Sequence, residues 1–496
     1  MVGVAALWAC SGAAHSAASA TRVGSPAGSS NGSIATAATS PAPQPAAVAF
    51  ATDAEVGRIL DERLGKLAGD YGIVVGLVDA GGRRVIGRGH LTRGDTRTPD
   101  GNTLFELGSI TKVFTSLLLA IAVERGEVSL DDPLVHHMPP GTRAPSVDGR
   151  QITLRDLATH TSGLPPGPTI PTLKDPNDPY AGYTVEMLDA YLAGAKLRHK
   201  PGTEFSYSNL GAALLARALV VRTNKPFAEL VRERITVPLQ MSNTWIDVPA
   251  DRQKNLAPGH TETLGPPPYR THLPTIGNGG VTSCANDMLI FLSASMGLVG
   301  TPLASAFRTI EMEHFQLREP GTAMGLGWRL AKLGDRTLVW HSGGTGGFRT
   351  IAVYEQPARR GAVVLSNVFT EGGVDDIAYY LLDGGELEEP GATLVTPIRY
   401  EASVAIDPSV LDRYVGDYQL TSHVTLSVSR MGDELLVQLT GQPKYRVFPE
   451  SDHVFFLAHG AAATLTFEAD GQGKTVAVVW YENGRHERAP KLDTRP

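Results

Sequence analysis

Gly108-Ser109-Ile110-Thr111-Lys112 runs directly into Val113-Phe114-Thr115-Ser116-Leu117-Leu118-Leu119-Ala120-Ile121-Ala122-Val123, and this stretch decides how the chain is read. From Val113 to Val123 the sequence is apolar nearly all round, with Thr115 and Ser116 inside the run. That pattern predicts a helix buried at the centre of a domain rather than an amphipathic surface helix. The run is too short to cross a bilayer. Lys112 stands one helical turn after Ser109, at the start of the buried segment, where a charge is costly without a partner or a function.

On either side of this helix the periodicity changes. A helix is predicted from Asp53 to about Ala68, then a hairpin of Ile73 to Asp79 and Val85 to Arg88 around Gly81-Gly82. Helical periodicity returns at Leu210 to Val221 and at Asp287 to Met296. Thr337 to His341, Phe348 to Glu355 and Ala362 to Asn367 then read as successive antiparallel strands. The order strands, helices, strands predicts an α+β protein: an antiparallel sheet flanked by helices, shared by the first and last segments, with an all-helical lobe between them. This unit is assigned to residues 52–390 and a linker to 391–406. From Tyr414 on, only strand-like segments occur: Val424 to Val428, Glu434 to Leu439, Tyr445 to Phe448, Val454 to Leu457, Thr464 to Phe467 and Val476 to Tyr481. Residues 407–496 are therefore expected to close as a small antiparallel β-barrel.

The N-terminus reads as a leader over residues 1–20, apolar and ending in the small-residue pattern Ala18-Ser19-Ala20, although the first basic residue is only Arg22. Leu7-Trp8-Ala9-Cys10 also has the form of a lipoprotein box. The expected location is outside the cytoplasm, periplasmic or in the cell envelope, with a membrane tether through Cys10 as a further option. Residues 21–51, nearly all Ala, Ser, Gly, Thr and Pro in their first thirty positions, read as a flexible tether.

Composition narrows the function. Of 496 residues 42% are hydrophobic and 19% charged, and 44 Lys and Arg stand against 51 Asp and Glu, a net charge of −7. That balance argues against nucleic acid as a partner and for a small-molecule or peptide substrate. The two cysteines, Cys10 and Cys284, leave the mature chain with no expected disulfide. No Cys/His cluster has zinc spacing and His136-His137 are adjacent, so neither metal nor cofactor is implied. Oligomeric state is not readable.

Three elements carry chemistry. Ser109 is a candidate nucleophile with Lys112 in reach, against the plain reading of a capping serine and a snorkelling lysine. Tyr207-Ser208-Asn209 offers a phenol as proton acceptor for the hydroxyl, against the reading that Ser208 and Asn209 only cap the next helix. His341-Ser342-Gly343-Gly344 closes a strand, and its glycines would let substrate backbone approach, against the reading of a hairpin turn. A second Tyr-x-Asn, Tyr481 to Asn483, reads as a hairpin turn. The Gly-x-Ser-x-Gly at Gly28 to Gly32 lies in the tether, with no strand before it or helix after it.

In the order Ser-x-x-Lys, Tyr-x-Asn, His-x-Gly, the set resembles the serine β-lactamase and penicillin-binding family, in its class C β-lactamase and D,D-peptidase branch. Phe105-Glu106-Leu107-Gly108, Thr159-His160-Thr161-Ser162-Gly163-Leu164, Pro201-Gly202-Thr203 and Gly325-Leu326-Gly327-Trp328 add to the resemblance, which spans about residues 52 to 385. It implies that Ser109 is acylated, that Lys112 and Tyr207 share the proton transfers, and that Asn209 orients substrate. It further implies that His341 lines the site and that the N–H groups of Ser109 and Gly344 form an oxyanion hole. Ser342, Gly343 and Gly344 are the expected substrate-binding strand.

Class C β-lactamases usually carry Lys-Thr-Gly where this chain has His341-Ser342-Gly343. An imidazole is mostly neutral at pH 7, so a fixed positive charge for a substrate carboxylate is missing. Arg349, on the next strand, is the candidate to replace it. The C-terminal region resembles the lipocalin-like barrels appended to some members, D-aminopeptidases among them. The expected activity is hydrolysis of amide bonds in β-lactams or D-amino-acid peptides. A carboxylesterase on the same residues and a non-catalytic binding protein are the alternatives.

Overall fold

The computed structural model describes residues 50–387 and 406–492, apart from 66–67, 169–179, 181, 262–263, 265–275, 371–372, 386, 422–423, 433, 441–443, 450, 458–462 and 483–484. The leader, most of the tether and most of the linker lie outside the described residues, as does the Asn483-Gly484 turn.

The fold is the expected α+β arrangement. Strands β1 (Gly72–Asp79), β2 (Gly82–Gly89), β3 (Phe315–Gln316), β4 (Thr322–Met324), β5 (Arg329–Leu333), β6 (Arg336–Thr345), β7 (Phe348–Gln356) and β8 (Arg360–Ser366) form one sheet. Its order is β2-β1-β8-β7-β6-β5-β4-β3, with antiparallel neighbours throughout. The first and last segments of the unit meet at β1 and β8, where Ile73 pairs with Ser366 and Val78 with Gly361. These two strands are apolar on both faces because both faces are covered. Helices α1 (Asp53–Leu64) and α6 (Asp375–Asp383) pack on one face. The helical lobe packs on the other, through α2 (Thr111–Glu124), α3 (Asn209–Thr223), α4 (Ala285–Ser295) and α5 (Ala304–Glu311).

Helix α2 is the buried axis that its composition predicts: every residue from Thr111 to Ala122 is buried. Phe114, Leu117 and Leu119 are completely inaccessible, and each contributes about 1.5–3 kcal/mol of hydrophobic stabilisation. That burial offsets the cost of taking the Lys112 ammonium out of water.

Three local expectations change. The first helix ends at Leu64, with Gly65 at its C-cap in a positive-φ conformation. Strand β6 does not close at His341 but runs on to Thr345, and Thr345 pairs with Phe348 across Gly346-Gly347. The glycine-rich turn thus lies after the His-Ser-Gly-Gly segment, which is itself strand. Short strands β3 to β5, before the predicted ones, extend the sheet. They were not legible because two of them have only two or three residues.

The C-terminal part is an eight-stranded antiparallel sheet from Gly416–Thr421 to Arg485–Pro490, each strand paired with the next in sequence. Two more strands occur than the six predicted individually. The ends approach closure, with an isolated bridge between Tyr418 and Lys491 and the Leu492 N–H donating to the Asp417 carbonyl at 2.7 Å. Its interior holds Tyr414, Tyr418, Phe455 and Phe467 in mutual ring contact.

Candidate active site

Ser109 sits in a 3-10 turn, Gly108–Ile110, that leads into α2. The turn is fastened to both sides of the site. The Leu107 N–H donates to the Val281 carbonyl at 2.8 Å, and the Leu107 carbonyl accepts from Thr350 Oγ1 of β7 at 2.9 Å. Gly108 has φ +54° and lies against β6: a Cβ there would be 2.6 Å from the Gly344 nitrogen. Gly343 is equally constrained, because a Cβ would be 2.0 Å from the Leu107 carbonyl oxygen. Only glycines allow strand and turn to approach this closely.

Lys112 Nζ donates to Ser109 Oγ at 2.8 Å and to the Asn278 carbonyl oxygen at 2.7 Å. The side chain is 2% exposed. Its ammonium also lies 5.0 Å from the centre of the Tyr207 ring, a cation–π contact strengthened by exclusion of water. Tyr207 comes from the segment before α3. Ser208 caps that helix, accepting from the Gly211 N–H at 2.9 Å and donating to the Pro165 carbonyl at 2.6 Å. The capping reading is therefore right for Ser208, and the cap is what holds Tyr207 in place. Asn209, half-buried, is the first residue of α3.

His160 is a member of the site that spacing did not single out. Its ring stacks on Tyr207 with centroids 4.4 Å apart, and its Nδ1 accepts from the Ser208 N–H at 3.2 Å. It adopts φ +57°, an uncommon conformation for a residue with a Cβ. Burial, and then the charge of Lys112, hold its pKa well below the usual imidazole range.

His341 lies on the same side of β6 as Gly343, with its ring centroid 6.5 Å from that of Tyr207. Burial, and then the Lys112 ammonium, push its pKa down to about 3, so the imidazole is neutral. Its Nδ1 is 2.6 Å from the Ser342 carbonyl oxygen. Since a carbonyl can only accept, the proton is on Nδ1 and the Nε2 lone pair is available.

Ser342 and Gly344 alternate to the opposite face, toward α6. Ser342 adjoins Asp375, whose carboxyl is raised by burial and partly lowered again by Arg349 and by the Ser342 hydroxyl. Arg349 faces the same way: its Nε is 4.0 Å from Asp375 Oδ1 and lies against Gly373. The structure thus gathers Ser109, Lys112, Tyr207, His341, Gly343 and the Gly344 backbone. It puts the Ser342 and Arg349 side chains on the far side of the sheet. Period-two alternation counted from His341 was the signal for that separation.

A half-buried serine hydroxyl bonded to a buried amine, beside a phenol and a glycine-lined strand, is suited to acyl transfer. Residues 60–385 match the family described as Beta-lactamase. The chain belongs to that family. Residues 401–493 match a domain of unknown function (DUF3471). Within the Beta-lactamase family, the chain is similar to the D-alanyl-D-alanine-carboxypeptidase/endopeptidase AmpH of Escherichia coli (strain K12), at 32% identity over 60% of this chain and 80% of that protein. It is 26% identical to penicillin-binding protein 4* of Bacillus subtilis (strain 168), over 78% of this chain and 87% of the relative. Among solved structures, a β-lactamase/D-alanine carboxypeptidase from Yersinia pestis aligns with a TM-score of 0.54 and 28% identity, covering 63% of this chain and 92% of the other. The protein is a serine hydrolase of the β-lactamase and D,D-peptidase type.

Proposed function

We propose that this hydrolase forms an acyl-enzyme at Ser109 and cleaves the amide bond of a D-amino-acid peptide, with β-lactams as acylating analogues. The observation that carries the reading is the 2.8 Å hydrogen bond from Lys112 Nζ to Ser109 Oγ, made in a site where the amine is almost free of water. The name of the Escherichia coli relative, a D-alanyl-D-alanine-carboxypeptidase/endopeptidase, supports the substrate class.

In this mechanism the Lys112–Tyr207 pair starts with one proton fewer than ammonium plus phenol, the Tyr207 oxygen being a phenolate beside the Lys112 ammonium. That oxygen takes the Ser109 proton as Oγ bonds to the substrate carbonyl carbon. The carbonyl electron pair moves to oxygen, where the N–H groups of Ser109 and Gly344 receive it. Collapse expels the leaving amine, which takes the proton back through the Tyr207 phenol. Water, deprotonated by the same pair, then releases the acid and restores Ser109. His341, neutral with a free Nε2 lone pair, accepts a hydrogen bond rather than supplying charge.

That same neutrality favours a second reading, a carboxylesterase, because an ester needs less protonation of its leaving group. Turnover of a D-Ala-D-Ala peptide, nitrocefin and a p-nitrophenyl ester separates the two. Rapid ester cleavage without acylation by the other classes overturns the amide reading. If a fluorescent penicillin labels Ser109→Ala as well as wild type, the nucleophile is elsewhere. The apolar leader supports export as the setting of this activity, tested by fractionating cells that produce the full chain.

A further inference from the structure

Tyr207 belongs to no helix or strand: Phe205 to Ser208 is irregular chain that leads into α3. A functional side chain on such a segment is placed less exactly than one on a regular element, unless the backbone beside it is held. Here His160 holds it. The His160 carbonyl accepts from the Ser206 N–H at 2.8 Å, and His160 Nδ1 accepts from the Ser208 N–H at 3.2 Å. The residues on both sides of Tyr207 are thus bound by one histidine. Its ring lies against the Tyr207 ring, with centroids 4.4 Å apart and planes at 33°. Phe205 meets the same imidazole edge-on at 5.9 Å.

The histidine is itself fixed. It is buried, and the Thr161 carbonyl next to it accepts from the Gly202 N–H at 2.8 Å. Its φ of +57° is one that a residue with a Cβ keeps only where the surroundings over-determine it, and residues held in this way gather at functional sites.

The hydrogen bond also sets the protonation state. Nδ1 can accept from a peptide N–H only while it carries no proton, so the imidazole is neutral with its proton on Nε2. Burial and the Lys112 charge act in the same direction. Neutrality matters to the reaction, because the Tyr207 ring already has the Lys112 ammonium 5.0 Å from its centre. A second cation against that ring would make the phenolate a weaker base.

We infer that His160 is the positioning residue for Tyr207: its carbonyl, its Nδ1 and its ring together aim the phenol at the Lys112–Ser109 pair without adding charge. This rests on the acyl-transfer reading above, in which Tyr207 moves the protons. His160 exchanges no proton in that reaction, so its effect passes through Tyr207.

The test is a double-mutant cycle in the full chain, read as the limiting rate at which a fluorophosphonate modifies Ser109. This probe reacts with an activated serine whether the natural substrate is an amide or an ester. His160→Asn tolerates the left-handed backbone and keeps an acceptor for the Ser208 N–H but removes the ring. His160→Phe keeps a ring and removes the acceptor. Each is made in the wild type and in Tyr207→Phe, with thermal melts of all variants. In the wild-type background the expected fall is about 10- to 100-fold, with little change in the half-saturating concentration of the probe. In the Tyr207→Phe background the further fall is expected to stay below about twofold. Such a coupled loss in either folded variant supports the role and tells whether the hydrogen bond or the ring carries it. The same loss in both backgrounds, or no loss in any folded variant, overturns the inference alone. Failure of both variants to fold also overturns it, since His160 would then be a determinant of the fold. If wild-type Ser109 is not modified, or Tyr207→Phe reacts as fast as wild type, the inference fails together with the reading it rests on.

Discussion

Gly108 and Gly344 are in direct backbone contact: a Cβ on Gly108 would lie 2.6 Å from the Gly344 nitrogen, at a residue whose φ is +54°. The turn that carries Ser109 and the strand that carries Gly344 are thereby fixed to one another. Gly108→Ala is expected to cost roughly 1–3 kcal/mol in strain and to slow penicillin acylation more than tenfold. Stopped labelling at intervals, beside a denaturant melt, measures both. An alanine variant that acylates at the wild-type rate would show that this contact does not set the oxyanion geometry.

Tyr207→Phe keeps the ring that stacks on His160 and covers Lys112, and removes only the hydroxyl. The expected loss in kcat is about 10²- to 10⁴-fold, the range for a proton-transfer group, with little change in melting temperature. A variant with full turnover would remove the phenol from the proton path and leave Lys112 to act without it.

His341 should not titrate near pH 6.5. Its folded pKa is pushed down to about 3 by burial and the Lys112 charge. The fold favours the neutral form, so stability from this group is present above the unfolded pKa of about 6.5 and is lost as pH falls from there toward 3. Histidine-resolved NMR of the folded protein checks it. A C–H shift titrating with a midpoint between 6 and 7 would be the contrary result.

Arg349→Ala is expected to lower stability by roughly 3 kcal/mol, because it strands a buried carboxylate at Asp375, and to leave KM for the peptide substrate as it was. Adding Asp375→Asn should recover part of the loss. Denaturant melts and steady-state kinetics on the same preparations decide this. A raised KM in a fully stable Arg349→Ala protein would return Arg349 to the substrate.

How much of the site was legible depends on how local each relationship is. Ser109 and Lys112 are one helical turn apart, so their meeting at 2.8 Å follows from helix geometry. The strands Gly72–Asp79 and Arg360–Ser366 were similarly legible as strands, over Ile73 to Asp79 and Ala362 to Asn367, though not that both of their faces are covered. His160 lay within a stretch that added to the resemblance, but nothing local placed it in the site. It meets Tyr207 only by a tertiary ring contact with a segment far away in the chain.

The amino-acid sequence by itself determined the α+β class, the buried helix and the identity of the hydroxyl and amine, because all of these rest on contacts within a turn or two of chain. Which side chains face that hydroxyl was decided only by tertiary structure. Strand β6 continues to Thr345 and alternates, so neighbouring residues are sent to opposite faces: His341 meets Tyr207, while Ser342 and Arg349 meet Asp375. A register set by pairing across a sheet cannot be read from either strand alone.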